Sequence, residues 1–132
     1  MRPVSVVIPT WNAARAVARS LPAVLQQDGM ELEVLVVDNG VVNDETERLV
    51  TRMGDRRVRY LRFPEQLGYA GAVNAGVREA RHPWIAVCNN DNVPERSWLR
   101  LLAETMGTWT ATGRRVAVVG ARVDRGGWAD DR

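Results

Sequence analysis

The sequence contains no lysine, and all eighteen of its basic residues are arginine. A phosphate-loop NTPase, a Schiff-base enzyme and a receiver domain each depend on a lysine side chain, so its absence excludes these three classes. The formal net charge is only +2 despite a pI near 9.3, and sixteen acidic residues are interspersed with the arginines. A nucleic-acid partner, which would need a basic stripe or patch, is therefore not expected.

Cysteine and histidine occur once each, as Cys88 and His82. A disulfide, a zinc cluster or a Cys/His dyad is therefore not expected within one chain. A single cysteine among apolar residues is typical of a small buried side chain. We expect both residues to be structural.

Long apolar runs are also absent. The uncharged stretch over residues 3–14 is much shorter than the roughly 18 apolar residues of a membrane span. The first residues show no leader-like apolar block and no small-residue cleavage site, because Arg2 and Pro3 lead directly into a strand-like run. These features predict a cytoplasmic protein.

The chain of 132 residues has the length of one domain. Its content of 45% hydrophobic and 26% charged residues is typical of an ordinary globular domain. We assign residues 1–121 to this domain. The polar, glycine-containing residues 122–132 are predicted to form a flexible tail.

Short apolar runs typical of buried strands alternate with amphipathic segments. Strands are predicted at residues 4–8, 34–37, 58–62, 84–88 and 116–119, with 58–62 near an edge of the sheet because its apolar residues do not separate onto one face. This alternation predicts an α/β fold, in which a mostly parallel sheet carries helices on both faces.

The predicted helices have apolar stripes at helical spacing. The first follows a cap at Asn12 and contains Pro22, which is expected to weaken or kink it. The acidic residues Asp44, Glu45 and Glu47 are expected on the first turn of the second helix. The stripes are Val17, Leu21, Val24 and Leu25 in the first helix, Ala72, Val73, Gly76, Val77 and Ala80 in the third, and Trp98, Leu101, Leu102, Met106 and Trp109 in the fourth.

Polar residues follow four of the predicted strands, at residues 9–12, 38–39, 62–65 and 89–92. Ligands of parallel sheets bind beyond the carboxyl ends of the strands, so these residues are expected on one binding rim. Trp11 offers a flat face for stacking, Asp38 can accept hydrogen bonds from a base or ribose, and Asp91 can hold a divalent cation. The alternative is that Asp, Asn and Pro simply end the strands. The glycines of residues 68–76 similarly permit either phosphate approach or close helix packing.

No glycine-rich dinucleotide fingerprint follows the first strand, where the sequence reads TWNAA. Four other motifs are present in order: VSVVIPTWN at residues 4–12, VLVVDNG at 34–40, QLGYAGAVNAG at 66–76 and CNNDNV at 88–93. Together they resemble glycosyltransferase family 2, and most nearly its rhamnosyltransferase-like branch.

This resemblance implies the Rossmann-like, nucleotide-binding half of a GT-A fold. It also implies a nucleotide-diphosphate sugar donor, Mg²⁺ or Mn²⁺, and transfer with inversion at the anomeric carbon. Residues 9–11 match the family's base and ribose loop, and Asp38 matches the acid that contacts the base. Asn89-Asn90-Asp91 stands at the D-x-D element with its first aspartate replaced, which leaves Asp91 as the metal ligand. The implied donor-binding set is Pro9, Thr10, Trp11, Asp38, Asn39, Gly68, Gly71, Asn74 and Asn90.

No residue matches the family's catalytic base, because the later acids Asp124, Asp130 and Asp131 belong to no matching motif. We therefore expect the donor-binding half of a glycosyltransferase, acting on an unknown acceptor such as a glycan or lipid-linked sugar. Any membrane association would come through that acceptor or a partner. Two alternatives stay open: a non-catalytic nucleotide-sugar-binding module, and an inert fragment that self-associates through exposed apolar surface.

Overall fold

The computed structural model describes residues 2–40 and 45–121. Strands and helices alternate along this part of the chain, which confirms the predicted α/β class. The strands are β1 (Val4–Thr10), β2 (Leu32–Asp38), β3 (Val58–Arg62) and β4 (Trp84–Val87). The helices are α1 (Ala14–Leu25), α2 (Thr46–Met53), α3 (Gly68–Glu79) and α4 (Trp98–Ala111).

The four strands form one parallel sheet in the order β3-β2-β1-β4. Every residue of the central strands β1 and β2 is buried, which explains why both are almost continuous apolar runs. β3 lies at an edge, as predicted, and its residues are half-buried. The register places Thr10 opposite Asp38 and Asp38 opposite Arg62, so the residues that follow these strands meet at one end of the sheet.

Helices cover both faces of the sheet, as predicted. On one face, α1, α2 and α4 pack against alternate residues of β1 and β2, with Val17, Val50 and Leu99 in one buried cluster. On the other face, α3 packs its Ala72 against Val7, Leu35 and Val37. Burying a Val or Leu side chain contributes about 1.5–3 kcal/mol, so both layers hold the sheet firmly beneath the rim.

The stripe predicted for α1 is confirmed, since Val17, Leu21, Val24 and Leu25 are all buried. The predicted cap is wrong: Ala13 is the N-cap and makes no side-chain capping bond. Asn12 instead adopts a left-handed conformation with φ of 49°. The helix continues through Pro22, because burial of the stripe offsets the hydrogen bond that proline cannot donate.

The predicted fifth strand at residues 116–119 is wrong. These residues belong to none of the strands that the structure describes, and Val118 is 84% exposed. Branched apolar residues favour a strand only where a neighbouring strand and a buried face are available. The prediction for 84–88 is one residue too long, although the Cys88 N–H still donates to the Val7 carbonyl at 3.0 Å.

The buried faces of α3 and α4 differ from the predicted stripes. In α4, Leu99 and Ala103 are buried, whereas the predicted Leu101 and Trp109 are exposed. In α3, the predicted Ala72 and Gly76 are buried together with Ala75, whereas the predicted Val77 is exposed. In both helices, the apolar stripe is predicted to include large residues that the structure leaves exposed.

Some predictions fall on residues outside the described ranges. Asp44 on the predicted first turn of α2 is one of them, whereas Glu47 lies on that turn as expected. The tail at residues 122–132, with its three acids, also lies outside, so its flexibility stays a prediction. Among the described helices, none is long and apolar enough to cross a membrane.

Candidate functional site

A cavity of about 430 Å³ opens at the carboxyl ends of the strands. It lies between the ends of β1 and β4, the residue after β2 and the start of α3. The predicted site residues that line it are Pro9, Thr10, Trp11, Asn39, Gly68, Asn90 and Asp91. The expected convergence of these residues on one rim is therefore what the fold produces.

Three predicted residues, Asp38, Gly71 and Asn74, do not line this cavity. Gly71 lies close to the Leu67 side chain: a Cβ built at this glycine would be 2.8 Å from the Leu67 Cβ. Asn74 is exposed on α3. The donor contacts predicted for the three residues stay predictions, and their positions give them no direct access to the cavity.

The cavity also has lining residues outside the predicted donor-binding and metal-binding set: Gln66, Tyr69, Ala72 and Asn89, of which Asn89 was expected only as part of the rim. The Tyr69 hydroxyl donates to the Asn89 Oδ1 at 2.8 Å, which connects the first turn of α3 to the loop after β4. Both residues lie within motifs that had been singled out. Their contact joins residues twenty positions apart, so no local spacing signals it.

Trp11 and Thr10 form the β1 side of the cavity. The Trp11 side chain is 60% exposed, which leaves its indole face open to a ligand. Thr10 is buried, and its hydroxyl accepts a hydrogen bond from the Asn90 Nδ2 at 3.0 Å. This bond fixes the loop after β4 against the end of β1.

The turn after β2 packs tightly against Asn12. A Cβ at Gly40 would lie 2.7 Å from the Asn12 Oδ1 and 3.0 Å from the Asp38 Oδ1. The first distance is shorter than real Cβ contacts and the second is tighter than most of them, so any other residue at this position would require the Asn12 side chain to shift. The DNG motif therefore reflects packing beside the cavity as well as a turn.

Asp38 is fully buried beneath the cavity. Its Oδ1 accepts the Gly40 N–H at 2.8 Å, its Oδ2 accepts the Tyr60 hydroxyl, and the Arg62 guanidinium is 3.9 Å away. Burial, together with the adjacent Asp38 carboxylate, raises the pKa of Tyr60 well above its ordinary value. The tyrosine therefore remains a hydrogen-bond donor, and this arrangement holds the end of β2 rigid.

Asn39 is buried and uses both ends of its amide group. The Nδ2 donates to the carbonyls of Phe63, at 3.0 Å, and Glu65, while the Oδ1 accepts the Leu67 N–H at 2.7 Å. These bonds attach the segment between β3 and α3 to the end of β2. Asn39 thus positions one wall of the cavity.

Asp91 is exposed at the mouth of the cavity. Within the described residues, no cluster of three or more His, Cys, Asp or Glu side chains could hold a metal ion by itself. A lone carboxylate flanked by asparagines suits a hard cation that takes its remaining ligands from phosphate oxygens and water. The donor set therefore fits Mg²⁺ or Mn²⁺ bound together with a phosphorylated ligand.

The single cysteine and histidine take no part in the cavity. Burial, and to a smaller extent Asp91, raises the pKa of the Cys88 thiol to about 11, so the thiol stays protonated at neutral pH. His82 precedes β4 at the opposite end of the sheet, where its backbone N–H donates to the Ser5 hydroxyl at 3.1 Å. Both placements agree with the structural roles expected.

The chain is similar in sequence to one protein family and to several known proteins. The model of the family described as "Glycosyl transferase family 2" matches residues 5–128. The succinoglycan biosynthesis protein ExoO of Rhizobium meliloti is 36% identical over 87% of this chain, and the glycosyltransferase AglE of Haloferax volcanii is 32% identical over 98%. The chain spans only 32% and 43% of the lengths of these two proteins.

Several solved structures are similar to this chain in fold. The mannosyltransferase PcManGT from Pyrobaculum calidifontis, in complex with GDP-Man and Mn²⁺, matches 80% of this chain and 33% of its own at a TM-score of 0.72 and 28% identity. S. aureus TarS 1-349, in complex with UDP-GlcNAc, matches 82% of this chain and 32% of its own at a TM-score of 0.73 and 20% identity. These neighbours establish the GT-A type of fold, and with the match to residues 5–128 they show that the chain belongs to glycosyltransferase family 2.

Proposed function

We propose that this chain binds a nucleotide-diphosphate sugar together with Mg²⁺ or Mn²⁺, as the donor side of an inverting sugar transfer. One observation carries the proposal: an exposed indole, Trp11, and an exposed carboxylate, Asp91, line the same cavity. A flat aromatic face suits a nucleobase, and a carboxylate suits the cation that accompanies a diphosphate. The ligands of PcManGT, GDP-Man and Mn²⁺, support the same pairing of nucleotide sugar and cation.

Different residues have different roles in this proposal. Residues 9–11 contact the base and ribose, with Trp11 stacking on the base. Asn39 positions the wall that includes Gln66 and Gly68, while Asp38 supports the turn beneath it. The proposed role of Asp38 in contacting the base requires the carboxylate to exchange one of its present hydrogen bonds for one with the ligand.

Asp91 is the residue proposed to hold the cation, with the amide oxygens of residues 89 and 90 nearby in sequence. When bound, a divalent cation balances the negative charge of the diphosphate leaving group. The hydrogen bond from Asn90 to Thr10 fixes the loop that carries Asp91. Asp91 can therefore bind the cation without a large rearrangement of that loop.

In an inverting transfer, the acceptor hydroxyl oxygen bonds to the anomeric carbon as the carbon–diphosphate bond breaks, and a base takes the hydroxyl proton. Asp91 is the only carboxylate among the described residues that line the cavity, and it is assigned to the cation. No catalytic base is therefore assigned. A non-catalytic module that binds nucleotide sugars is the second candidate function, which this lack of a second carboxylate favours.

The proposal extends to partners and location. The acceptor is proposed to be a glycan or lipid-linked sugar, encountered in the cytoplasm or at a membrane. Self-association is proposed through the apolar side chains of Val77, Ile85 and Val87, which are exposed on α3 and β4.

Calorimetric titration with a panel of nucleoside diphosphates and Mn²⁺ tests the binding proposal. Stacking of a base on an aromatic side chain contributes about 1–3 kcal/mol. Trp11→Ala should therefore weaken the binding of the tightest-binding nucleoside diphosphate by about tenfold or more. Trp109→Ala is the matched control, since Trp109 is exposed on α4 and contacts Arg114 instead. Equal affinity in the two variants, or no binding by the unmodified chain, would contradict the proposal.

A further inference from the structure

A second cavity, of about 540 Å³, adjoins the first, because Asp91 lines both. Its other lining residues, Arg15, Ala16, Ala18 and Arg19, all belong to the first half of α1. Arg15 and Arg19 are four positions apart, so their side chains lie on the same side of the helix. The alanines are small, so two guanidinium groups and one carboxylate dominate the chemistry of this cavity.

The described residues that line this cavity carry more positive than negative charge, with two guanidinium groups against one carboxylate. The side chains of Arg15 and Arg19 form no ion pair or hydrogen bond with the described residues, including Asp91, and α1 itself contains no acidic residue. Exposed arginines elsewhere do find acids: Arg96 lies 2.9 Å from Asp28. The two guanidinium groups are therefore available to an anionic ligand.

Phosphate is the anion that this arrangement suits best. A guanidinium donates two parallel hydrogen bonds to a phosphate or carboxylate. A carboxylate has only two oxygens, and both accept hydrogen bonds when it binds one guanidinium group in this way. A phosphate has further oxygens, which can accept from a second arginine or coordinate a cation at Asp91. The neighbouring Val17 and Leu21 are fully buried, so the helix backbone that carries both arginines is held in place.

We propose that Arg15 and Arg19 form a phosphate-binding site beside Asp91. The inference rests on the proposed function, because it places a substrate phosphate next to the cation of the donor. That phosphate has two sources, the diphosphate of the donor or a phosphate carried by the acceptor. The arginines present the same chemistry to both, and separate probes distinguish them.

The test compares two double variants of the 132-residue chain. Arg15→Gln/Arg19→Gln removes the proposed site, and Arg52→Gln/Arg78→Gln removes the same charge from exposed positions on α2 and α3. Each is titrated, at saturating Mn²⁺, with the nucleoside diphosphate that the unmodified chain binds most tightly and with geranyl phosphate as a probe without a nucleoside. Thermal denaturation confirms that both variants are folded.

We expect Arg15→Gln/Arg19→Gln to weaken the binding of one probe by about tenfold or more, relative to the control variant Arg52→Gln/Arg78→Gln. A selective loss of nucleoside diphosphate binding assigns the site to the donor, and a selective loss of geranyl phosphate binding assigns it to the acceptor. Equal effects of the two double variants on both probes would overturn the inference. Failure of the proposed function has a different signature, because nucleoside diphosphate affinity would then be unaffected by Trp11→Ala.

Discussion

Two buried polar residues beside the cavity determine much of its shape. Asn39 and Asp38 are buried side by side at the end of β2, and each makes several hydrogen bonds to the segments around the cavity. Buried polar groups of this kind stabilise a structure only while all their partners are present. Their removal should therefore disturb both the fold and the binding of nucleotide.

Asn39→Ala tests this at a single residue. The variant loses three hydrogen bonds and leaves the Phe63 carbonyl and the Leu67 N–H without their partner, so the free energy of unfolding should fall by about 1–3 kcal/mol. Nucleoside diphosphate affinity should fall as well, because the wall at residues 63–67 is no longer held. Urea denaturation and calorimetry measure the two effects.

Gln26→Ala is the control, since Gln26 carries an exposed amide at the end of α1. It should change neither quantity appreciably. Unchanged stability and unchanged affinity in Asn39→Ala would show that the segment before α3 holds its position without this side chain.

Only some of the site residues were predictable from the sequence. Trp11 and Asp91 were identified because an aromatic and an acid stand directly after predicted strands. The positioning role of Asn39 was not visible, because its partners lie twenty-four or more residues away and are backbone groups. Sequence carries no signal for contacts of that kind.

At the scale of elements, the close approach of α3 to the sheet depends on Gly76. A Cβ at this position would lie 2.5 Å from the Val7 Cγ1 and 3.0 Å from the Val37 Cγ2, both on central strands with little freedom to move. The position supports the packing alternative for this glycine over phosphate approach. It also sets the distance between the sheet and α3, the helix whose first turn lines the cavity.

Gly76→Ala should therefore destabilise the protein by about 1–3 kcal/mol, because α3 must shift away from the sheet. Gly107→Ala provides the matched control, since nothing lies within 4 Å of a Cβ built there on α4. That control should gain up to about 1 kcal/mol from the better helix propensity of alanine. Thermal or urea denaturation measures both, and a stabilised Gly76→Ala would contradict the packing account.

The end of the sheet opposite the cavity depends on Glu33 in β2. Its carboxylate accepts hydrogen bonds from the Ser5 hydroxyl and the Arg81 N–H, both at 2.7 Å, and lies 3.4 Å from Arg59. Burial opposes the charge, but these donors outweigh it and hold the pKa of Glu33 below its ordinary value of 4.5. The cluster fastens the connection between α3 and β4 to the sheet.

A lowered pKa in the folded state gives a stabilisation that is complete above the unfolded pKa and is lost as the pH falls through the folded pKa. Glu33→Gln should therefore cost about 1–3 kcal/mol at pH 7, and the difference from the unmodified protein should shrink below about pH 4.5. Urea denaturation at several pH values measures it. Glu79→Gln, an exposed partner of Arg59, should have little effect. A difference that is constant with pH would contradict this role.

The central elements were predictable because β1 and β2 are buried on both faces, so nearly every residue is apolar. The elements outside the centre of the sheet were harder to predict. Residues 116–119 have the composition of a strand, and only the absence of a paired neighbour in the described structure distinguishes them. The phase of α4 was misjudged because Leu101 and Trp109 are large but exposed. Tertiary packing decides such cases, and local composition does not report it.

At the scale of the molecule, most of the buried core of the described residues lies away from the cavity. The buried layers and the Glu33 cluster hold the body of the sheet, while the carboxyl ends of the strands carry Trp11 and Asp91 at one cavity. This division is typical of parallel sheets, in which ligands bind beyond the carboxyl ends of the strands. We propose that this cavity binds a nucleoside diphosphate and a divalent cation together.

The decisive measurement for this joint binding is the coupling between metal and nucleotide. Nucleoside diphosphate is titrated into the chain with a chelator and again with saturating Mn²⁺, and Mn²⁺ is titrated with and without the nucleotide. A single carboxylate holds a cation weakly, so we expect each ligand to tighten the other by the same factor, as linkage requires. Asp91→Ala should abolish that coupling while the protein stays folded. Equal nucleotide affinity with chelator and with Mn²⁺ in the unmodified chain would show that the two ligands do not share this cavity.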